Sequence, residues 1–126
     1  MDLRIVGKGG LQGEVQIPAD KSITHRSIMF ASLSSGETTI DAPGAGADND
    51  STAELFRSLG VVIERQPHGW VVRGVGLSGL QESSGVIDCG NSGTTIRLVS
   101  GILAGSGLNA TLTGDESLCK RPMARV

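Results

Sequence analysis

Aromatic residues are almost missing from this chain. Phe30, Phe56 and Trp70 are the whole set in 126 residues, and tyrosine is absent. A core must therefore be made from Val, Ile, Leu and Ala, which bury less area per residue than large rings, and it is expected to be thin. Cysteine is equally scarce. Cys89 and Cys119 are thirty positions apart with His25 and His68 as the other soft ligands, which matches none of the short paired spacings of zinc sites. That usage points to a reducing compartment and to no bound metal. No apolar run approaches the roughly 20 residues of a membrane span, and Met1-Asp2-Leu3-Arg4 opens with mixed charge instead of a basic stretch before an apolar one. The expectation is a cytoplasmic chain with no membrane association. Excess charge of either sign is also lacking: 11 Lys and Arg stand against 13 Asp and Glu, a net charge of -2, which argues against a general nucleic-acid binder.

Glycine is what the chain has in plenty. Its 19 glycines are about twice the usual share of about 7%, yet with four prolines the total stays below that of low-complexity disorder. Such a chain folds with many tight turns. Leu3-Arg4-Ile5-Val6 and Glu14-Val15-Gln16-Ile17 alternate in character around a glycine-rich turn and predict a strand pair ended by Pro18. From Ser22 to Leu33 the positions Ile23, Phe30, Ala31 and Leu33 repeat at helical spacing, with Gly36 as a stop. A short strand over Thr38-Thr39-Ile40 and a loop at Pro43-Gly44-Ala45-Gly46 follow. Ser51-Thr52-Ala53-Glu54 matches a capping box and predicts a helix start, with Gly60 as its end. Val61 to Arg65 and Trp70 to Arg73 bracket Gln66-Pro67-His68-Gly69 and read as a hairpin. The order then begins again with a strand at Val86-Ile87-Asp88, a helix from about Gly93 to Leu103, a strand over Asn109 to Thr113 and the start of another helix after Pro122. The pattern is α/β: one complete unit and about half of a second, which buries its apolar face only against neighbours.

Three segments share one design, a strand end, then a polar or glycine-bearing turn with basic residues, then a helix start. They are Asp20-Lys21-Ser22-Ile23-Thr24-His25-Arg26, Gly90-Asn91-Ser92-Gly93-Thr94-Thr95-Ile96-Arg97, and Gly114-Asp115-Glu116-Ser117-Leu118-Cys119-Lys120-Arg121-Pro122. Free N–H groups at a helix start suit a phosphate or carboxylate. Lys21 and Arg26 add a mobile and a planar cation, and Arg121 can grip an oxyanion through two parallel bonds. Taken singly, Ser22 and Asn91 read as ordinary N-caps and the cations as solvated surface charge. Three such segments in one chain predict a cleft for an anionic ligand.

Other matches fail on context. Gly74-Val75-Gly76-Leu77-Ser78-Gly79 fits the dinucleotide fingerprint, but Gln81-Glu82-Ser83-Ser84-Gly85 opens no helix to hold a pyrophosphate. Lys21-Ser22 lacks the upstream glycines of a phosphate-binding loop. His25, one turn into a helix with no evident partner, reads as a packing or solvent-facing histidine, and Cys119 as a bystander thiol beside Lys120 and Arg121.

At the three segments the sequence resembles the 5-enolpyruvylshikimate-3-phosphate synthase family of carboxyvinyl transferases. Pro18 to Arg26 resembles the family's first substrate loop, Gly90 to Arg97 its second, and Thr113 to Met123 its third, in order along the whole chain. The resemblance implies that Lys21, the one residue here given a catalytic part, contacts phosphoenolpyruvate, that Ser22 and Arg26 hold shikimate 3-phosphate, and that Arg121 binds the phosphoenolpyruvate phosphate. Asn91, Gly93 and Thr94 would shape the same pocket, where glyphosate also sits in sensitive members. The implied reaction adds the shikimate 3-phosphate 5-hydroxyl to protonated phosphoenolpyruvate and then expels phosphate, with no metal or organic cofactor. Two positions depart from the family pattern: Ala19 stands where glycine is usual, and Leu98 where many members have proline. UDP-N-acetylglucosamine enolpyruvyl transferase, the sister enzyme, carries its cysteine several residues upstream of the Arg-Pro pair, whereas Cys119 is two residues before Arg121.

Length is the larger departure. Family enzymes are several times longer, with two domains of three similar α/β units each. The resemblance implies a partial enolpyruvyl transferase fold: residues 1–18 as strands pairing with the second domain, and 19–126 as an incomplete first substrate-binding domain of one and a half βαβαββ-type units. The expectation is an N-terminal fragment or split enzyme that binds a complementary C-terminal fragment, inactive alone. The alternative is a truncated, non-catalytic module that binds a phosphate ligand or partner.

Overall fold

The computed structural model describes residues 2–7, 9–10, 12–41, 43–44, 46–124 and 126. Helix α1 spans Lys21–Leu33 and begins where the Asp20 carboxylate accepts the Ile23 N–H at 2.7 Å, so the cap is Asp20 and not Ser22. Strand β1, Ser35–Asp41, follows, and Gly36 lies inside it instead of stopping the helix. Helix α2, Ala47–Ser58, starts four residues before the predicted capping box. Gly46 is its cap, Asp48 and Asp50 occupy its positive first turn, and Ser51 Oγ donates to the Ala47 carbonyl at 2.9 Å from within the helix. The two acids meet the helix dipole without needing Ser51 as a cap.

At its other end α2 closes as expected around Gly60. With φ at +90°, Gly60 donates to Arg57 O at 3.0 Å while Val61 N donates to Phe56 O at 3.0 Å, the paired bonds of a Schellman motif. Strands β2, Val62–Gln66, and β3, Gly69–Val75, form the predicted hairpin. The sheet order is β1-β3-β2, antiparallel throughout, with Ile40 opposite Trp70 and Ile63 opposite Val72. Phe56, Leu59, Ile63, Trp70 and Val72, with Ile28 and Met29 of α1, fill the space between this sheet and the two helices.

The second unit is smaller. Strands β4, Ile87–Asp88, and β5, Leu112–Thr113, pair in parallel and are joined by helix α3, Gly93–Ser106. Helix α4, Glu116–Cys119, is a single turn that precedes Pro122. The helix start predicted after Pro122 is not seen at residues 122–124, and Arg125 lies outside the described residues. Leu77–Gly79 form a short 3-10 turn with no helix behind it, consistent with a loop and not a dinucleotide site.

Two further expectations are corrected. Residues 3–6 and 14–17 form no ladder, and Leu3, Ile5, Val15 and Ile17 are each more than 80% exposed. Two strands with no neighbouring layer bury too little to hold a pairing. In α1 the buried face is Thr24, His25, Ile28, Met29, Ala31 and Ser32, while Ile23 and Phe30 point outward at 65% and 69% exposure. That face packs through hydrogen-bonded polar side chains as much as through apolar ones, which the apolar spacing alone does not reveal.

Candidate active site

The parallel pairing of β4 and β5 brings two of the three loops together. Beyond the last paired residues, Cys89 N donates to Thr113 O at 2.9 Å and Asp115 N to Gly90 O at 2.9 Å, so the turns 90–92 and 114–115 run side by side at the carboxyl ends of the strands. Open α/β sheets bind ligands at that end. The approach depends on Gly114, because a Cβ there would lie 2.6 Å from the Gly90 carbonyl oxygen and 2.3 Å from Leu118 Cδ2. Each turn then caps its helix: Ser92 Oγ accepts Thr95 N at 3.1 Å and Asp115 Oδ1 accepts Leu118 N at 2.7 Å.

The start of α1 faces the start of α3 across an open depression of about 280 Å³, lined by Ser22, Arg26, Gly93, Thr94, Arg97 and Leu98. Of three larger depressions, those of about 550 and 570 Å³ are lined without a Lys or Arg and that of about 360 Å³ has Arg65 as its only one, whereas two arginines line this one. Charge and not volume therefore marks the site. Arg26 Nη1 donates to the carbonyl of Ser22 at 3.1 Å, which curls the guanidinium back over the first turn. Arg97 donates from Nη2 to Pro122 O at 3.1 Å and has a buried Nε without a partner. Arg121 adds a third guanidinium, with Nη1 only 2.9 Å from where a Cβ on Gly93 would stand.

Asn91 sets the position of Arg121. Its Oδ1 accepts from Arg121 Nη2, and its Nδ2 donates to Asp115 Oδ2 at 2.6 Å. The Asn91 amide, followed by the Leu118 N–H, holds the Asp115 carboxyl below the usual carboxylate range. Lys21 is placed differently from the rest. Its ammonium pairs with the Asp48 carboxylate at the start of α2, and it does not line the depression. Of the sequence-predicted residues, the structure thus gathers Ser22, Arg26, Gly93 and Thr94 around one space, sets Asn91 and Arg121 beside it, and holds Lys21 toward α2.

Two charged residues escaped selection from sequence. Arg97 follows Gly93 by one helical turn, and that spacing alone places it over the first turn of α3. Asp48 carried no such signal, since the helix that positions it begins earlier than its sequence implies. Neither thiol lines the depression: Cys89 is buried, its thiol pushed up to about 11 by desolvation, and Cys119 donates to Gly114 O at 3.3 Å on the exposed side.

Three guanidinium groups, a helix start and close-packed glycine turns at the carboxyl ends of parallel strands give this α/β protein a surface whose chemistry suits small, multiply charged anions. Comparison with known proteins makes the class definite. The family model of EPSP synthase (3-phosphoshikimate 1-carboxyvinyltransferase) matches residues 5–126, and the chain belongs to that family. It is 51% identical over 125 residues to a 3-phosphoshikimate 1-carboxyvinyltransferase of Syntrophotalea carbinolica, covering 98% of this chain and 29% of that one. A Bacillus subtilis protein of the same name is 51% identical over 116 residues, covering 92% and 27%. The solved EPSP synthase from Acinetobacter baumannii superposes with a TM-score of 0.82 at 41% identity, over 88% of this chain and 26% of that one. The chain therefore spans little more than a quarter of the length of these relatives. No described helix is long and apolar enough to cross a membrane.

Proposed function

We propose that this chain supplies the first substrate-binding loops of a 3-phosphoshikimate 1-carboxyvinyltransferase, which transfers the enolpyruvyl group of phosphoenolpyruvate to shikimate 3-phosphate. Turnover requires a complementary C-terminal segment. One observation carries the reading: Arg26 and Arg97 line a single depression beside Gly93, with Arg121 against it. Both substrates carry a phosphate and a carboxylate, and fixed guanidinium groups bind such oxyanions in paired, charge-assisted bonds.

In this reading Ser22 and Arg26 hold shikimate 3-phosphate, Arg121 holds the phosphoenolpyruvate phosphate, and Asn91, Gly93 and Thr94 shape the space between. Lys21 leaves Asp48 to meet phosphoenolpyruvate when the ligand arrives. The 5-hydroxyl oxygen gives up its proton and bonds to C2 of phosphoenolpyruvate as a proton is added at C3. The C2–O bond to phosphate then breaks, and loss of a proton from C3 restores the double bond. The cations act by being in place before charge develops on the departing phosphate, which removes the cost of reorganising solvent. Glyphosate, a somewhat longer anion, occupies the phosphoenolpyruvate side next to Gly93. Residues 1–18 pair with strands of the second domain, residues 19–126 form part of the first, and the assembled enzyme works in the cytoplasm.

Mixing the chain with the remaining segment of the enzyme tests the reading. Phosphate release that needs both polypeptides and both substrates is the expected result. Binding of phosphate ligands with no turnover in any mixture favours a non-catalytic module instead.

A further inference from the structure

A buried chain of hydrogen bonds crosses three helices beneath the depression. His25 Nδ1 lies 2.6 Å from Thr52 Oγ1, Thr52 Oγ1 lies 2.7 Å from Thr95 Oγ1, and Thr95 Oγ1 donates to Ser92 Oγ at 2.7 Å. All four residues are at most 1% exposed. The proton count fixes the direction of the chain. A hydroxyl has one hydrogen, so Thr95, donating to Ser92, must accept from Thr52, and Thr52 in turn must accept from His25. Asp48 O, 3.4 Å from both threonine hydroxyls, is too distant to displace these shorter bonds. His25 thus donates from Nδ1, and burial, which lowers its pKa, disfavours a second proton on the ring and leaves the buried, unpartnered Nε2 as a lone pair.

The two ends of this chain are the two walls of the site. His25 sits next to Arg26 on α1, whereas Ser92 caps α3 and immediately precedes Gly93 and Thr94. Thr52, on α2, lines no part of the depression. We propose that His25 is a positioning residue, acting through Thr52 and Thr95 to hold the Ser92 cap so that Gly93, Thr94 and Arg97 face Ser22 and Arg26 at the separation an anion needs. The inference rests on the anion-binding reading of the depression. It adds a determinant of site geometry that touches no ligand.

Nitrogen NMR of His25 in the whole chain, with Thr52→Val and Thr52→Ser as variants and inorganic phosphate as the probe, tests the proposal. In the wild type, Nδ1 should carry the proton and Nε2 should show the resonance of an unprotonated ring nitrogen. Thr52→Val, which keeps the shape and removes the hydroxyl, should perturb the tautomer, move the backbone signals of Gly93 and Thr94 across the helix boundary, and weaken phosphate binding about fivefold, the equivalent of one net hydrogen bond. Thr52→Ser should restore all three. A wild-type proton on Nε2 overturns the relay even if Thr52→Val fails to fold. Unmoved Gly93 and Thr94 signals in a folded Thr52→Val chain also overturn it, as does phosphate affinity within twofold of wild type. Absence of phosphate binding by the wild type counts against the anion-site reading, while the tautomer and the Gly93 and Thr94 signals still decide whether the relay exists.

Discussion

A β-carbon on Gly93 would stand 2.9 Å from Nη1 of Arg121, closer than carbon and nitrogen pack. The conflict is with the far end of a flexible side chain, so it is relieved by moving the guanidinium and not the backbone. Gly93→Ala should therefore leave the unfolding midpoint nearly unchanged while displacing Arg121 from its bond to Asn91. In the complemented enzyme both phosphoenolpyruvate and glyphosate should bind less well, glyphosate more so because the longer molecule has less spare room. Inhibition and substrate constants that rise equally would remove that distinction.

In the proposed site Arg26, Arg121 and Lys21 divide the ligand-binding work. Replacing any one with alanine should cost about 1.5–3 kcal/mol in binding if one charge-assisted bond is lost. Arg26→Ala should act chiefly on shikimate 3-phosphate, and Arg121→Ala on phosphoenolpyruvate. Lys21 should show a further dependence, since Asp48 competes for it: Asp48→Asn should free the ammonium and tighten phosphoenolpyruvate binding. Steady-state constants near wild type for all three alanine variants would return these cations to solvated surface charge.

Acid should loosen the fold through His25. Burial lowers its pKa, opposed by the Asp48 charge and assisted by Lys21 and Arg26. The unfolded chain then binds the proton more readily than the native one, so the stability His25 contributes is complete above its ordinary value of about 6.5 and is lost as pH falls below it. Denaturant titrations from pH 7.5 to about 5 should show a decline in wild type that is shallower in His25→Gln. Parallel declines in the two proteins would show that other groups set the acid sensitivity.

Thiol reagents should separate the cysteines. Cys119 is exposed, whereas Cys89 is buried with its thiol pushed up to about 11. One equivalent of reagent should modify Cys119 in the native chain, and Cys89 only after unfolding. Mass mapping of the labelled peptides gives the order directly.

Most elements with local punctuation were legible in the sequence. Gly60 ends α2 through bonds between near neighbours, and the hairpin at 66–69 is set by its own turn, so both follow from local residues. The three loops were visible for the same reason. What the sequence concealed was set by distant partners. The capping box at Ser51 is locally sound, but α2 extends back to Ala47, where two acids meet the helix dipole. Ile23 and Phe30 have core chemistry and lie outside, while His25, without a sequence partner, is buried against Thr52 at a separation of 27 residues. The alternating residues at 3–6 and 14–17 have strand character, but no layer within the chain supports a ladder.

Titration of the labelled chain with shikimate 3-phosphate, followed by backbone amide shifts, tests most directly whether the three loops form one anion site. The account predicts that signals from residues 21–26, 90–97 and 114–121 move together along one saturable curve, and that Arg26→Ala shifts that curve to at least about tenfold higher ligand concentration. Shifts confined to one loop, shifts centred on residues 83–86 and 109–111, or an unchanged response in Arg26→Ala would contradict it.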